Sequence, residues 1–252
     1  MLFRSVVVAE ADGAEDGVEE TVALEDELPG VHADEVTGEE GDDREREVDH
    51  PAPGRTPGDP VGEREAERIR TLAGRRDADL WVFGYGSLMW DPALRFEEVR
   101  RAHVPGYARR FILKDVYGGR GSVDAPGLMV ALDRGAGCEG LAFRVSRENI
   151  EVETEVLWRR ERIGPAYAPV FVEAIVGGPR IVALTFVADH EAELIVGGIT
   201  RAQQIEYCAT GTGFLGSSLD YLKSIHRQFV ALGIRDDEVA ELLRETEAYL
   251  GS

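Results

Sequence analysis

The 252-residue chain is 43% hydrophobic and 8% aromatic, with a formal net charge of −20 at pH 7. This fits one large domain, or a domain plus a tail, and no run approaches the roughly 20 apolar residues needed to span a bilayer. The acidity is uneven, because residues 1–78 hold 23 of the 48 acidic side chains and 9 of the 28 basic ones. No basic stripe follows, which argues against a nucleic-acid partner, and an acidic surface argues against anionic membranes. Met1–Glu10 has one basic residue, a short apolar run and no small-residue cleavage site, so a cytoplasmic protein is expected. Cys138 and Cys208, the only cysteines, are too few for a disulfide framework and are expected as buried free thiols.

Residues 1–60 combine acidic clusters such as Glu39-Glu40-Gly41-Asp42-Asp43 with a Pro/Gly stretch from Pro51 to Pro60. Such a segment cannot bury enough apolar surface to offset its chain entropy, and we expect it to be disordered. Gly62–Arg76 is charged and reads as a short solvated helix. The boundary is placed after residue 78, giving an acidic extension over 1–78 and a folded domain over 79–252. Deleting residues 1–76 is then expected to leave a folded, active domain.

From Leu80 onward, short β-type runs alternate with turn signals. Leu80–Tyr85 reads as a buried strand. Val99–Ala108 and Arg109–Asp115 read as strands around Pro105-Gly106. Leu128–Leu132 and Gly140–Val145 are expected to pair across a turn at Gly135-Ala136-Gly137. Ser146 reads as the N-cap of a helix running to about Arg162. Tyr167–Val176 and Arg180–Val187 read as a hairpin about Gly177-Gly178-Pro179. Helices are expected near Thr200–Thr210, Ser217–Leu232 and Asp236–Leu250. The pattern predicts an α+β fold, a small mixed β-barrel flanked by helices.

Two features carry chemistry. In Val82-Phe83-Gly84-Tyr85-Gly86-Ser87-Leu88, a buried strand runs into a glycine-rich turn whose successive N–H groups can converge on an anion or a developing oxyanion. It is no dinucleotide fingerprint, since Met89 stands in the third glycine's place, and no Walker A loop, since Gly-Lys-Ser/Thr is missing. On residue types alone it is a structural turn or a ligand loop. The second feature is Glu161, which continues the Ile150/Leu157 stripe at i+11 and i+4 on the proposed helix, while Arg159, Arg160 and Arg162 point elsewhere. The helix dipole disfavours a carboxylate at that C-terminal end, and burial would raise its pKa further. Glu161 is a salt-bridged surface residue or a general base. Glu153 and Glu155 lie off the stripe and are expected to tolerate change to Gln. The spacing of His103, His190 and His226 suggests no metal site.

Phe83-Gly84-Tyr85-Gly86-Ser87-Leu88-Met89-Trp90-Asp91-Pro92 resembles the opening motif of ChaC-like γ-glutamylcyclotransferases. Later segments follow in the family's order: Pro126-Gly127-Leu128, Gly140–Val145, Leu157–Glu161 with Tyr167-x-Pro169, and Gly216–Leu222. The chain departs from the family pattern at Lys114-Asp115, at Ser218 and over 189–198. The resemblance covers about residues 80–245. It implies a cyclotransferase barrel that uses neither cofactor nor metal and takes glutathione, or another γ-glutamyl amine or dipeptide, as its small-molecule partner. It assigns Glu161 as the catalytic residue and Tyr85, Gly86, Ser87 and Leu88 as the substrate-binding loop. A non-catalytic metabolite-binding module is the reading from another class, with a nucleotide-binding oxidoreductase third.

Overall fold

The computed structural model describes residues 60–251, and the disorder expected for 1–60 lies outside them except at Pro60, which begins a helix. Five strands close a mixed barrel: β1 (Leu80–Gly84), β2 (Glu98–Asp115), β3 (Gly127–Val145), β4 (Tyr167–Ile175) and β5 (Arg180–Ala188), in the order β1-β3-β2-β4-β5. β1 runs antiparallel to β3 from Leu80↔Val145 to Gly84↔Leu141, and parallel to β5 at Trp81↔Ala183 and Val82↔Leu184, which completes the ring. The α+β barrel expected from the sequence is the one observed. Helices α1 (Pro60–Thr71), α2 (Ile150–Glu161), α3 (Arg201–Thr210), α4 (Ser218–Ala231) and α5 (Asp237–Leu250) flank it, with a minimal hairpin, β6 (Thr212–Gly213) and β7 (Gly216–Ser217), before α4. None of the described helices is long and apolar enough to cross a membrane.

The middle of the barrel differs from the sequence expectation. β2 is one strand through Pro105-Gly106, and β3 is one strand through Gly135–Gly137. The two pair with each other along nearly their full length, and Leu128–Leu132 does not fold back onto Gly140–Val145. Pro105 stands opposite Gly137, and the register shifts between Pro105 and Tyr107. Proline withholds one ladder hydrogen bond, and Gly106 takes the extra bend at φ +78°. A Cβ on Gly137 would lie 2.3 Å from the His103 ring, so that residue must be small for the strands to approach. Both expected turns are therefore the two sides of one bulged bend.

The remaining elements follow local chemistry. The β4–β5 hairpin turns at Gly177 and Gly178, both at positive φ. Thr200 and Gln203 form a reciprocal capping box at α3, while the side chains of Ser217 and Asp236 cap α4 and α5. Phe83, Phe111, Leu141 and Phe143 are buried in the main core, which continues onto Leu222, Ile225 and Phe229 of α4. Cys138 and Cys208 are buried free thiols, as expected.

Helix α1 corrects the reading of Gly62–Arg76 as solvated. Leu72, just past its end, is fully buried in a cluster with Leu157, Trp158 and Phe186. Arg68 is buried and donates to Thr154 Oγ1 at 2.9 Å and to Glu151 Oε1 at 2.7 Å, both on α2. Glu67 accepts two 2.8 Å bonds from Arg162 and one of 3.1 Å from Trp158 Nε1. We propose that the folded domain begins at Pro60 rather than after residue 78. A chain starting at Pro60 keeps all these contacts and should melt within about 2 °C of the full chain. A chain starting at Asp77 exposes the Leu72 site and strips two anchors from α2. Losing even one buried Leu removes about 2–3 kcal/mol, so its melting temperature should fall by at least about 5 °C. Equal melting of the two truncations, followed by calorimetry, would refute the boundary at Pro60.

Candidate active site

β1 ends at Gly84, and the chain turns through Tyr85-Gly86 into one 3₁₀ turn, Ser87–Met89. The turn folds back tightly, since a Cβ on Gly84 would sit 2.9 Å from Leu88 Cβ. Its carbonyls are used inward: Met89 N–H donates to Gly86 O at 2.9 Å, and Asp91 N–H to Ser87 O at 2.9 Å. The N–H groups of Ser87 and Leu88 open the turn, where no earlier carbonyl of the same turn reaches them. Side-chain bonds stitch this segment to β5. Tyr85 hydroxyl donates to Phe186 O at 2.8 Å, and Thr185 hydroxyl donates to Phe83 O at 3.0 Å.

Gly86 has φ −132° and ψ −131°, so its role is not that of a left-handed turn residue. What it provides is space. A Cβ there would lie 2.9 Å from Val130 Cγ2 and 3.1 Å from the Tyr221 hydroxyl.

Opposite the turn stands Glu161, the last residue of α2. Ile150 and Leu157 bury the stripe that Glu161 extends, in line with the sequence reading. Its side chain is 15% exposed. Burial pushes its carboxyl up to about 7, against a smaller opposing pull from the Arg160 guanidinium. Burial likewise raises the Tyr85, Tyr167 and Tyr221 phenols, keeping them neutral and able to donate. Tyr167 donates to Val130 O at 2.6 Å, and the Arg120 guanidinium lies 4.6 Å over the Tyr221 ring.

Tyr85, Gly86, Ser87, Leu88 and Glu161 all line one pocket, which is open to solvent. Its walls include Val130, Tyr167 and Tyr221, none of which the sequence reading singled out as site residues. One expectation about the helix is corrected. Arg160 does not point away from the site: its Nε lies 3.6 Å from Glu161 Oε1, and it donates to Ser87 Oγ at 2.8 Å and to Asp91 O at 2.6 Å. It ties the glycine-rich turn to the helix that carries the carboxylate. Arg159 and Arg162 do point elsewhere, to Glu155 and Glu67. Glu153 is also unlike its expected role as a tolerant position, for it is buried and accepts the Arg95 N–H at 2.9 Å. His103 and His190 pair with Glu139 and Asp133, away from the pocket.

The pocket thus opposes a carboxyl pushed up to about 7 to a glycine-rich turn that carries backbone N–H groups. The first can move a proton; the second can receive developing negative charge.

The chain is similar to known proteins in sequence and in fold. The family described as ChaC-like protein matches residues 80–249. A glutathione-specific γ-glutamylcyclotransferase of Escherichia coli (strain K12) is 38% identical over 189 residues, covering 72% of this chain and 79% of that protein. Glutathione-specific γ-glutamylcyclotransferase 1 of Homo sapiens is 34% identical over 159 residues, covering 59% of this chain and 70% of that protein. The crystal structure of a yeast γ-glutamyl cyclotransferase specific to glutathione superposes with a TM-score of 0.63 at 19% identity, covering 69% of this chain and 97% of that one, a likeness of fold. With the family's sequence pattern running from the first barrel strand to the last helix, this chain belongs to the ChaC-like protein family.

Proposed function

We propose that the protein is a γ-glutamylcyclotransferase that converts glutathione to 5-oxoproline and Cys-Gly. The observation that carries this reading is Glu161: a carboxylate held near pH 7 in a pocket whose other wall is the Gly86 turn. A γ-glutamyl amide already contains its nucleophile, the α-amine. Glu161 takes a proton from the α-ammonium, and the freed nitrogen attacks the γ-carbonyl carbon. The carbonyl oxygen gains charge, for which Gly86, Ser87 and Leu88 offer N–H groups. The new C–N bond closes the five-membered ring with two hydrogens still on its nitrogen. Glu161-H gives its proton to the leaving nitrogen as the old amide C–N bond breaks. The regenerated carboxylate takes the second proton from the ring nitrogen and passes it to the released amine, which leaves as an ammonium. Water, metal and covalent enzyme intermediate are not required. Orientation within the pocket supplies the rest of the rate.

The test is 5-oxoproline release from glutathione and from γ-glutamyl-alanine, measured side by side. Glutathione is expected to be turned over at least about tenfold more efficiently in kcat/KM, roughly 1.4 kcal/mol of barrier. Preference for the dipeptide would move the reading to other γ-glutamyl amines, and no product from either would support a binding module.

A further inference from the structure

Arg109, in the middle of β2, is a buried cation that lies outside the pocket. Its side chain is 2% exposed, and each of its three nitrogens donates a hydrogen bond. Nε donates to Tyr85 O at 2.6 Å, one terminal nitrogen to Glu139 O at 2.5 Å, and the other to Asp236 Oδ2 at 2.7 Å. The guanidinium also lies 4.2 Å over the Phe229 ring. One side chain therefore joins the turn after β1, strand β3, helix α4 and the cap of α5.

We propose that Arg109 is a positioning residue: by holding the Tyr85 carbonyl, it aims the Gly86 N–H into the pocket, toward the oxygen that gains charge during cyclisation. This rests on the cyclotransferase reading above.

The argument is one of peptide geometry. Tyr85 C=O and Gly86 N–H belong to a single planar, trans peptide unit and so point in opposite directions. The carbonyl is drawn toward Arg109, which does not line the pocket, whereas Tyr85 and Gly86 do. The N–H is accordingly turned to the pocket side. Glycine at position 86 leaves this peptide little steric protection against rotating about its flanking bonds. Were it to rotate, a carbonyl oxygen would face the developing negative charge. A charged donor at 2.6 Å opposes that rotation and polarises the amide, so that its N–H donates more strongly. A merely structural role would be met by satisfying the buried cation with Asp236 and Glu139 O. The bond to Tyr85 O is the additional element, and it falls on the peptide next to Gly86.

The test compares Arg109→Lys with Asp236→Asn. Lysine keeps a cation for Asp236 but cannot serve three divergent acceptors. Asparagine disturbs the same ion pair from its far end while remaining a competent helix cap, and it leaves the Tyr85 contact in place. kcat and KM for glutathione are measured as 5-oxoproline release per folded molecule, with folding judged by circular dichroism and thermal melts. Arg109→Lys is expected to lose about 10–100-fold in kcat, with KM within about threefold of wild type and the acid limb of the pH profile unmoved. Asp236→Asn is expected to melt earlier yet keep kcat within about threefold. Arg109→Gln, run in parallel, carries the same kcat expectation should the lysine variant not fold. Variants at Arg109 within twofold of wild type, or failing to fold at all, would overturn the positioning role, as would equal kcat losses in Arg109→Lys and Asp236→Asn. Wild-type protein releasing no 5-oxoproline would instead overturn the activity reading, and this inference with it.

Discussion

Replacing Glu161 by Gln is expected to lower kcat on glutathione by about 10²–10⁴-fold, the usual contribution of a general acid–base group, equivalent to roughly 3–5 kcal/mol of barrier. Gln keeps the size and hydrogen-bonding reach of the side chain but cannot take the α-ammonium proton. KM should change little. The same substitution should raise stability, and the sign follows from the carboxyl being pushed from 4.5 to about 7 on folding. Below pH 4.5 the acid is neutral in both states and the penalty vanishes. As pH rises from 4.5 through about 7, ionisation becomes progressively harder to accommodate in the fold, to roughly 3 kcal/mol at about 1.4 kcal/mol per unit. Glu161→Gln should therefore melt above wild type at pH 8 and level with it at pH 4. Two neighbours on α2 serve as comparisons. Glu155, paired with Arg159 on the exposed face, should tolerate Gln with little change. Glu153 should lose stability, because its buried carboxylate holds the Arg95 N–H, while the folded fraction keeps its turnover. Catalytic and structural carboxylates on one helix would thus separate in opposite directions of melting temperature.

Gly86→Ala is expected to reduce kcat/KM by at least about 10²-fold, the scale associated with displacing reacting groups by an ångström. The added methyl would lie 2.9 Å from Val130 Cγ2 and 3.1 Å from the Tyr221 hydroxyl, and both residues are buried. At those distances something must shift, and any shift of the turn carries its N–H groups with it. Overpacking of this kind also costs typically 1–3 kcal/mol of stability. Ser87→Ala removes the acceptor of one Arg160 bond and leaves the backbone where it is, so its loss should be clearly smaller. Steady-state kinetics of the two variants, compared at matched folded concentration, decide the point. A Gly86→Ala enzyme with wild-type kcat/KM would remove the turn from the mechanism.

Much of the barrel was legible because its signals are local. Alternating and continuous apolar runs mark β1, β4 and β5, Gly177-Gly178 marks a hairpin, and Thr200, Ser217 and Asp236 mark helix starts. What misled was Pro105-Gly106 and Gly135–Gly137. Each looks like a turn alone, and only the strand pairing, with Pro105 opposite Gly137, reveals a bend shared by two long strands. Helix α1 was misread for a related reason. Arg68 and Glu67 look solvated in a charged run, but their partners, Thr154, Glu151 and Arg162, lie more than 80 positions away.

The site divides in the same way. Glu161 and the glycine-rich turn carry dense local signals: a carboxylate on an apolar stripe and two glycines after a buried strand. Tyr167 and Tyr221 sat within motifs that resembled the family, yet nothing local told a pocket-lining tyrosine from a core one. Arg160 was hidden by its place between Arg159 and Glu161, where helical periodicity alone assigned it to another face. Arg109 gave no signal, because its meaning lies in three acceptors from distant parts of the chain.

The most direct measurement of the central claim is the pH dependence of kcat for wild-type protein on glutathione, followed as 5-oxoproline release from pH 5 to 9. With Glu161 as the base, only its ionised form starts the reaction. Activity should then fall about tenfold per pH unit on the acid side, with a midpoint near 7, where burial places this carboxyl. A rate that stays flat down to pH 5 would contradict the account, since an unperturbed carboxylate, or no carboxylate at all, would then be doing the chemistry.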